Sequence, residues 1–117
     1  MKSHIDKFLR VLRIELEDLE QDLVALEEST RQKWEENQIS NYVFLENMAI
    51  LREELTGVHK IINDLTGMDA SRFTEMDGFT EHLIKIIKDN INNADLPEGV
   101  YRLLQRKILK VRDFIKE

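Results

Sequence analysis

The residues with the clearest chemical potential are Arg52 and His59, which lie seven positions apart in the segment REELTGVH. Seven residues make nearly two turns of an α-helix, so both side chains would project from one face, about 10 Å apart. Arginine supplies a permanent cation, and histidine can give or take a proton near neutral pH. This pair is the candidate catalytic set. The alternative is a surface arginine beside a half-buried histidine.

The Arg52–His59 spacing is similar to the Arg-x4–6-His motif of the HEPN family. The resemblance extends to the length of the chain and to two long leading helices. It implies a small helical dimer that acts as a metal-independent ribonuclease or as a toxin–antitoxin component. It also implies that Arg52 and His59 would line a cleft at the dimer two-fold and assist phosphodiester cleavage. The chain departs from the family pattern in placing the motif in its second helix, with Glu53 directly after the arginine.

The sequence contains no pattern that would hold a metal or a cofactor. Its three histidines, His4, His59 and His82, are far apart, and none follows the Glu-x-x-His pattern of di-iron bundles. There is no cysteine and no glycine-rich phosphate loop. We therefore expect no metal, no cofactor and no small-molecule ligand. A non-enzymatic role is our first interpretation, and the HEPN-like activity is the alternative.

Two heptad seams dominate the first half of the chain. In each seam apolar residues alternate in steps of four and three, which is typical of helices packed lengthwise on each other. The first comprises Ile5, Leu9, Leu12, Leu16, Leu19, Leu23 and Leu26, and the second Phe44, Met48, Leu51, Leu55, Val58, Ile62 and Leu65. The pattern predicts two long helices.

The segment between the seams decides whether those helices form a rod or a hairpin. Continuing the first seam would place the polar residues Thr30, Lys33, Asn37 and Ser40 in it, and its phase does not match the second seam. One continuous helix would be about 95 Å long, far beyond a usual helix of a small domain. Asn37, Ser40 and Asn41 are turn and N-cap residue types. We therefore predict a turn at residues 37–41 and an antiparallel hairpin.

Glycine, proline and polar clusters divide the rest of the chain. Gly57 either allows a close helix approach or has no special role, and Gly67 is expected to end the second helix in a left-handed conformation. A connector follows, with a short helical turn beginning at Asp69. A third helix is predicted over residues 79–93 and a last helix over residues 97–116, whose seam and flanks are widely apolar.

These elements predict an all-α antiparallel bundle of about four helices in one domain, residues 1–117. A composition of 42% hydrophobic and 34% charged residues fits such an ordered domain. Charges interrupt every apolar run near the N-terminus, so we expect neither a signal peptide nor a membrane span. The lack of cysteine suits a reducing compartment, and we expect a cytoplasmic protein.

Charge is distributed unevenly along a chain of net charge −6. Residues 15–36 contain nine acidic side chains, whereas residues 100–117 contain six basic and two acidic ones. The overall acidity argues against non-specific nucleic-acid binding, although Arg102, Arg106 and Lys110 form a basic row. We expect this row to pair with the acidic flank of the first helix. A phosphate contact is the alternative.

The broad apolar stripes of the last two helices predict a binding partner. We expect a homodimer, or a complex with another helical protein, that buries these stripes. Aromatic residues outside the seams are enriched at interfaces, so the interface candidates are Trp34, Tyr42 and Phe73. A further alternative is a basic partner that docks on residues 15–36.

Overall fold

A computed structural model describes residues 2–68, 71 and 73–116. Within these residues the chain forms four helices and no strand, which confirms the all-α bundle. They are α1 (Lys2–Glu35), α2 (Asn41–Thr66), α3 (Met76–Asn93) and α4 (Glu98–Lys116). None of the helices in the described part of the chain has an apolar, nearly uncharged stretch of the length that crossing a membrane requires.

The turn between α1 and α2 confirms the predicted hairpin. Asn37 takes the left-handed conformation, with φ of 61°, which asparagine tolerates better than most residues. Ser40 is the N-cap of α2, and its hydroxyl oxygen accepts a hydrogen bond from the Val43 amide at 3.2 Å. Short polar side chains therefore close the turn as their residue types predicted. Ion pairs from Glu20 and Glu27 of α1 to α2 show that the two helices run antiparallel.

Helices α3 and α4 form a second, shorter hairpin that packs on the first. The Lys116 ammonium at the end of α4 lies 2.6 Å from the Asp77 carboxylate at the start of α3, so these helices are also antiparallel. Phe79 of α3 meets Phe8 of α1 edge to face, with ring centroids 6.1 Å apart. The fully buried core includes Phe8, Leu12, Leu16, Val58, Phe79, Leu83, Ile87, Leu104 and Ile108.

Gly57 permits the close approach of α4 to α2. A Cβ atom built at Gly57 would lie 2.4 Å from the Val100 Cγ1 atom and 3.7 Å from a methyl carbon of Leu104. No side chain larger than a hydrogen fits between these helices as they stand. Of the two interpretations of Gly57, the structure favours the close helix approach.

Some local predictions need correction. Gly67 has φ of −101°, so the left-handed cap predicted there is wrong; the backbone continues as a turn in which the Met68 amide donates to the Leu65 carbonyl. Helix α3 begins at Met76, three residues before the predicted start, because Met76 already packs against the core. The helical turn predicted at Asp69 lies outside the described residues.

The molecule is elongated, with principal extents of 54 × 28 × 21 Å. Its radius of gyration is 16.3 Å, whereas a compact chain of this length would have one of about 13 Å. The cause is the difference in helix length, since α1 has 34 residues and α3 and α4 have 18 and 19. The turn end of the α1–α2 hairpin therefore projects beyond the second hairpin. We call residues 24–50 the distal hairpin.

Candidate functional site

Arg52 and His59 lie on one exposed face of α2, as their spacing predicted. Together with Leu55 and Thr56 they line a shallow depression. Each is held by a carboxylate of α1: the Arg52 Nε atom is 4.0 Å from Glu27, and the His59 Nε2 atom is 2.8 Å from Glu20. The structure thus brings the predicted pair together and adds an acidic partner for each.

These carboxylates weigh against phosphodiester chemistry at Arg52 and His59. A phosphate approaching the pair would meet the negative charges of Glu20 and Glu27, which lie beside the histidine and the arginine. Both side chains are largely exposed, at 67% and 60%, so the ion pairs stabilise the fold only weakly. The pair has the geometry of a solvated helix face, and its catalytic role stays a prediction.

Two of the three interface candidates lie at the turn of the distal hairpin. Trp34 stacks on Phe44 with ring centroids 4.5 Å apart, and its Nε1 atom donates a 2.6 Å hydrogen bond to the Asn41 side-chain oxygen. These contacts leave 37% of Trp34 exposed, whereas Tyr42 beside it is 75% exposed. Trp34 therefore braces the turn, and Tyr42 offers the freer aromatic surface.

The third candidate, Phe73, lies at the other end of the molecule. Its ring contacts Phe79 with centroids 5.2 Å apart and His82 with centroids 5.0 Å apart, and it is partly buried against the core. This position fixes the connector before α3 onto the bundle. Phe73 cannot share one interface with Trp34 and Tyr42 on the same molecule.

The distal hairpin carries most of the exposed apolar surface among the described residues. Large apolar side chains that are exposed there are Val24, Leu26, Trp34, Tyr42, Val43, Leu45 and Ile50. Outside it only Ile14 and Phe114 are comparably exposed in the described part of the chain. The stripe of α4, by contrast, is largely covered within the chain. The uncovered surface thus lies at the hairpin end instead of on the last two helices, where the sequence had placed it.

One face of the distal hairpin continues the surface on which α4 packs. Ile50 lies seven residues before Gly57 on α2, so both residues belong to one row of that helix. Past the N-terminal end of α4, no helix of the described part of the chain packs on this row of α2. A shallow depression there is lined by Leu26, Thr30, Asn47, Ile50 and Leu51. Val43 lies one turn further towards the tip and is exposed. We call Leu26, Thr30, Val43, Asn47 and Ile50 the distal face.

The basic row of α4 pairs with the acidic flank of α1 only through Lys110, so the expected pairing is found in part. The Glu15 carboxylate of α1 accepts hydrogen bonds from Lys110 at 2.9 Å and from Lys107 at 3.2 Å. These bonds, the Lys110 bond first, lower the pKa of Glu15 below its usual value. Arg102 pairs with Glu98 of its own helix at 3.4 Å. Arg106, the remaining member of the row, has no ion-pair partner among the described residues, so part of the positive charge of α4 stays uncompensated.

No metal-binding cluster of three or more histidine and carboxylate side chains occurs among the residues that the structure describes. Comparison of the chain with protein-family models, with curated proteins and with solved structures finds no match. The function must therefore be argued from the geometry of the chain itself.

Proposed function

We propose that the protein is a non-enzymatic helical interaction protein that self-associates through its distal hairpin, with a homodimer as the functional unit. The observation that carries this proposal is the uncovered distal face, where Leu26 and Ile50 are each 51% exposed beside the bare end of the α4 docking row. Single exposed apolar residues are common on proteins, but a contiguous set rimmed by polar residues is typical of an interface.

The shape of the surface favours a helical partner. Two antiparallel helices present parallel ridges of side chains, and such ridges pack best into the grooves of other helices. A second copy of the hairpin offers a surface of matching length and shape. In that arrangement the two hairpins would form a four-helix assembly. It would cover the part of α1 and α2 that projects beyond the second hairpin.

Self-association is tested by sedimentation velocity over a concentration series, with the variant Ile50→Lys and its matched control Ile14→Lys. Ile14 is as exposed as Ile50, at 60% against 51%, but lies outside the distal hairpin. We expect the wild type and Ile14→Lys to show the same monomer–dimer equilibrium and Ile50→Lys to remain monomeric. A wild type that stays monomeric throughout would contradict the proposal, as would a dimer that Ile50→Lys leaves intact.

The proposal includes a cytoplasmic location, which the absence of cysteine from the chain favours. It also includes heptad packing between the two copies, in the manner of a short coiled coil. Fractionation of cells that carry the tagged protein tests the first statement. A recovery of the protein in any other compartment would contradict it.

A further inference from the structure

The distal face has opposite charges at its two ends on α1. Asp22 lies four residues before Leu26, and Lys33 lies three residues after Thr30, so both charges stand in line with the face. They are separated by about 16 Å along the helix, from the rise of 1.5 Å per residue. Among the described residues neither side chain has an ion-pair or hydrogen-bond partner.

Helix α2 adds a second acidic side chain at the base end of the face. Leu26 and Ile50 line the same depression, which sets the register between the helices. Glu54 lies four residues after Ile50 and Asp22 four residues before Leu26, so the two carboxylates are level with each other across the hairpin. The α1 edge of the face is therefore acidic at its base, apolar in the middle and basic at its tip, and the α2 edge also carries the exposed Glu46, four residues before Ile50.

We propose that two copies pair face to face through their distal faces, with the hairpins antiparallel about a two-fold axis. This inference rests on the proposed function and specifies its geometry. The α1 helices then lie against each other, and Asp22 of each copy faces the partner's Lys33. Because the axis is two-fold, this ion pair occurs twice around an apolar centre formed by Leu26 and Ile50.

The charges discriminate against the parallel alternative. With the hairpins parallel, α1 would lie against the partner's α2, and Asp22 would face the partner's Glu54. Each Lys33 would meet the partner's Val43, and its nearest counter-charge would be Glu46, three residues further along the partner's α2. Like charges placed opposite each other oppose association, so the antiparallel orientation is favoured.

The opposite face of the hairpin carries an exposed apolar residue of its own, Leu45, but its central charges already have neighbours within the chain. Arg52 lies 4.0 Å from Glu27, and His59 lies 2.8 Å from Glu20. A second copy docked there would gain no new ion pair from these four residues. The unpaired charges and the bare α4 docking row coincide only on the distal face.

The size of the face sets the expected strength of the dimer. Two adjacent helices, each about 10 Å wide, present a face about 20 Å across, and the row from Asp22 to Lys33 is about 16 Å long. An area of a few hundred Å² per copy is below the roughly 800 Å² per partner of a standard specific interface, so we expect a weak dimer in exchange with the monomer. Its equilibrium is therefore measurable by sedimentation.

The test uses the two charge reversals Asp22→Lys and Lys33→Glu, separately and mixed. In the antiparallel dimer each variant alone puts like charges opposite each other twice. A heterodimer of the two variants puts opposite charges together at both contacts. We expect each reversal alone to weaken the dimer about tenfold and the equimolar mixture to recover wild-type affinity. Circular dichroism confirms that each variant keeps its helices.

The outcomes separate this geometry from self-association in general. A wild type that remains monomeric would overturn the proposed function and the geometry together. A dimer whose affinity neither reversal changes would refute the geometry alone and place the contact on another surface. A parallel dimer would be revealed by Asp22→Lys, because the new lysine would face the partner's Glu54 and strengthen association.

Discussion

The contact between α2 and α4 allows a sharp test of the packing, through the substitution Gly57→Ala. Gly57 is buried in the middle of α2, and its added Cβ would lie 2.4 Å from the Val100 Cγ1 atom. Val100 is itself only 3% exposed, and its branched side chain has one strongly preferred rotamer in a helix. The methyl group therefore cannot turn away, and α4 must move by about 1 Å to restore ordinary contact.

Two opposing effects determine the change in the free energy of unfolding. Alanine in place of glycine favours a helix by about 1 kcal/mol. Forcing an extra methyl group into a packed contact costs about 1–3 kcal/mol. The expected result is a net loss of about 1 kcal/mol in the free energy of unfolding, although the intrinsic preference alone would predict a gain.

Urea denaturation followed by circular dichroism measures this change against a matched control. Gly78 is also helical, in α3, but a Cβ atom there meets nothing within 4 Å. We expect Gly78→Ala to raise the free energy of unfolding by about 0.5 kcal/mol, since only helix preference acts. The two alanines should therefore shift the denaturation midpoint in opposite directions.

A double-mutant cycle with Val100→Ala identifies the cause. Val100→Ala removes the Cγ1 atom that clashes, so Gly57→Ala should become neutral or stabilising in that background. The coupling energy between the two positions is expected to be about 1–3 kcal/mol. If Gly57→Ala costs the same in both backgrounds, or stabilises the wild type, then α4 does not approach α2 as closely as the structure indicates.

Other predictions concern buried or partly buried polar groups. Glu15→Gln should lower the free energy of unfolding by about 1 kcal/mol at pH 7 by weakening the contacts to Lys107 and Lys110. The pKa of Glu15 is lowered, so its contacts stabilise the fold only while the carboxylate is ionised. The difference in the free energy of unfolding between wild type and variant should therefore shrink as the pH falls below 4.5, the ordinary pKa of a glutamate. An unchanged difference in acid would contradict the ionic explanation. Burial raises the pKa of Glu54, so its ionised form destabilises the fold at neutral pH. Glu54→Gln should therefore raise the melting temperature at pH 7. This gain should shrink as the pH falls through the raised pKa, because the wild-type carboxyl is then protonated as well. Thr80→Val should raise the free energy of unfolding by about 1 kcal/mol, because the Thr80 hydroxyl is buried and has no hydrogen-bond partner among the described residues; a loss in urea denaturation would reveal a partner for it.

The local elements could be predicted from the sequence because short-range chemistry determines them. The turn after α1 rests on Asn37, which takes the left-handed conformation, and on Ser40, whose hydroxyl oxygen accepts a hydrogen bond from the Val43 amide. The pairing of the last helix with the acidic flank of the first also followed, in the contact of Lys110 with Glu15. Such features depend on residue type and helical periodicity, which a single sequence displays.

The packing of the second hairpin could not be predicted in the same way. Phe8 and Ile61 are among the most buried side chains, yet both lie outside the heptad seams. A seam indicates only the line along which two neighbouring helices meet. Which flank a third helix covers depends on crossing angles and helix lengths, and these are properties of the assembled fold. The candidate site was missed for the same reason, because the distal face is defined by where α4 ends.

Leu26 shows how the apparent error in the seam prediction bears on function. It continues the spacing of six residues that are buried or partly buried against the core, yet it is 51% exposed. Within one chain this position has no third helix above it, since α4 docks lower on the hairpin, at Gly57. In the proposed antiparallel dimer the second copy covers Leu26, and the seam is complete along its whole length. An apolar seam longer than the intramolecular core is expected when the remainder is buried between chains. Leu26→Ala should then weaken the dimer more than it lowers the free energy of unfolding of the monomer, whereas Leu23→Ala, at a position that is 4% exposed, should mainly destabilise the monomer. Equal effects of the two substitutions on monomer stability, with no change in dimer affinity for Leu26→Ala, would refute this reasoning.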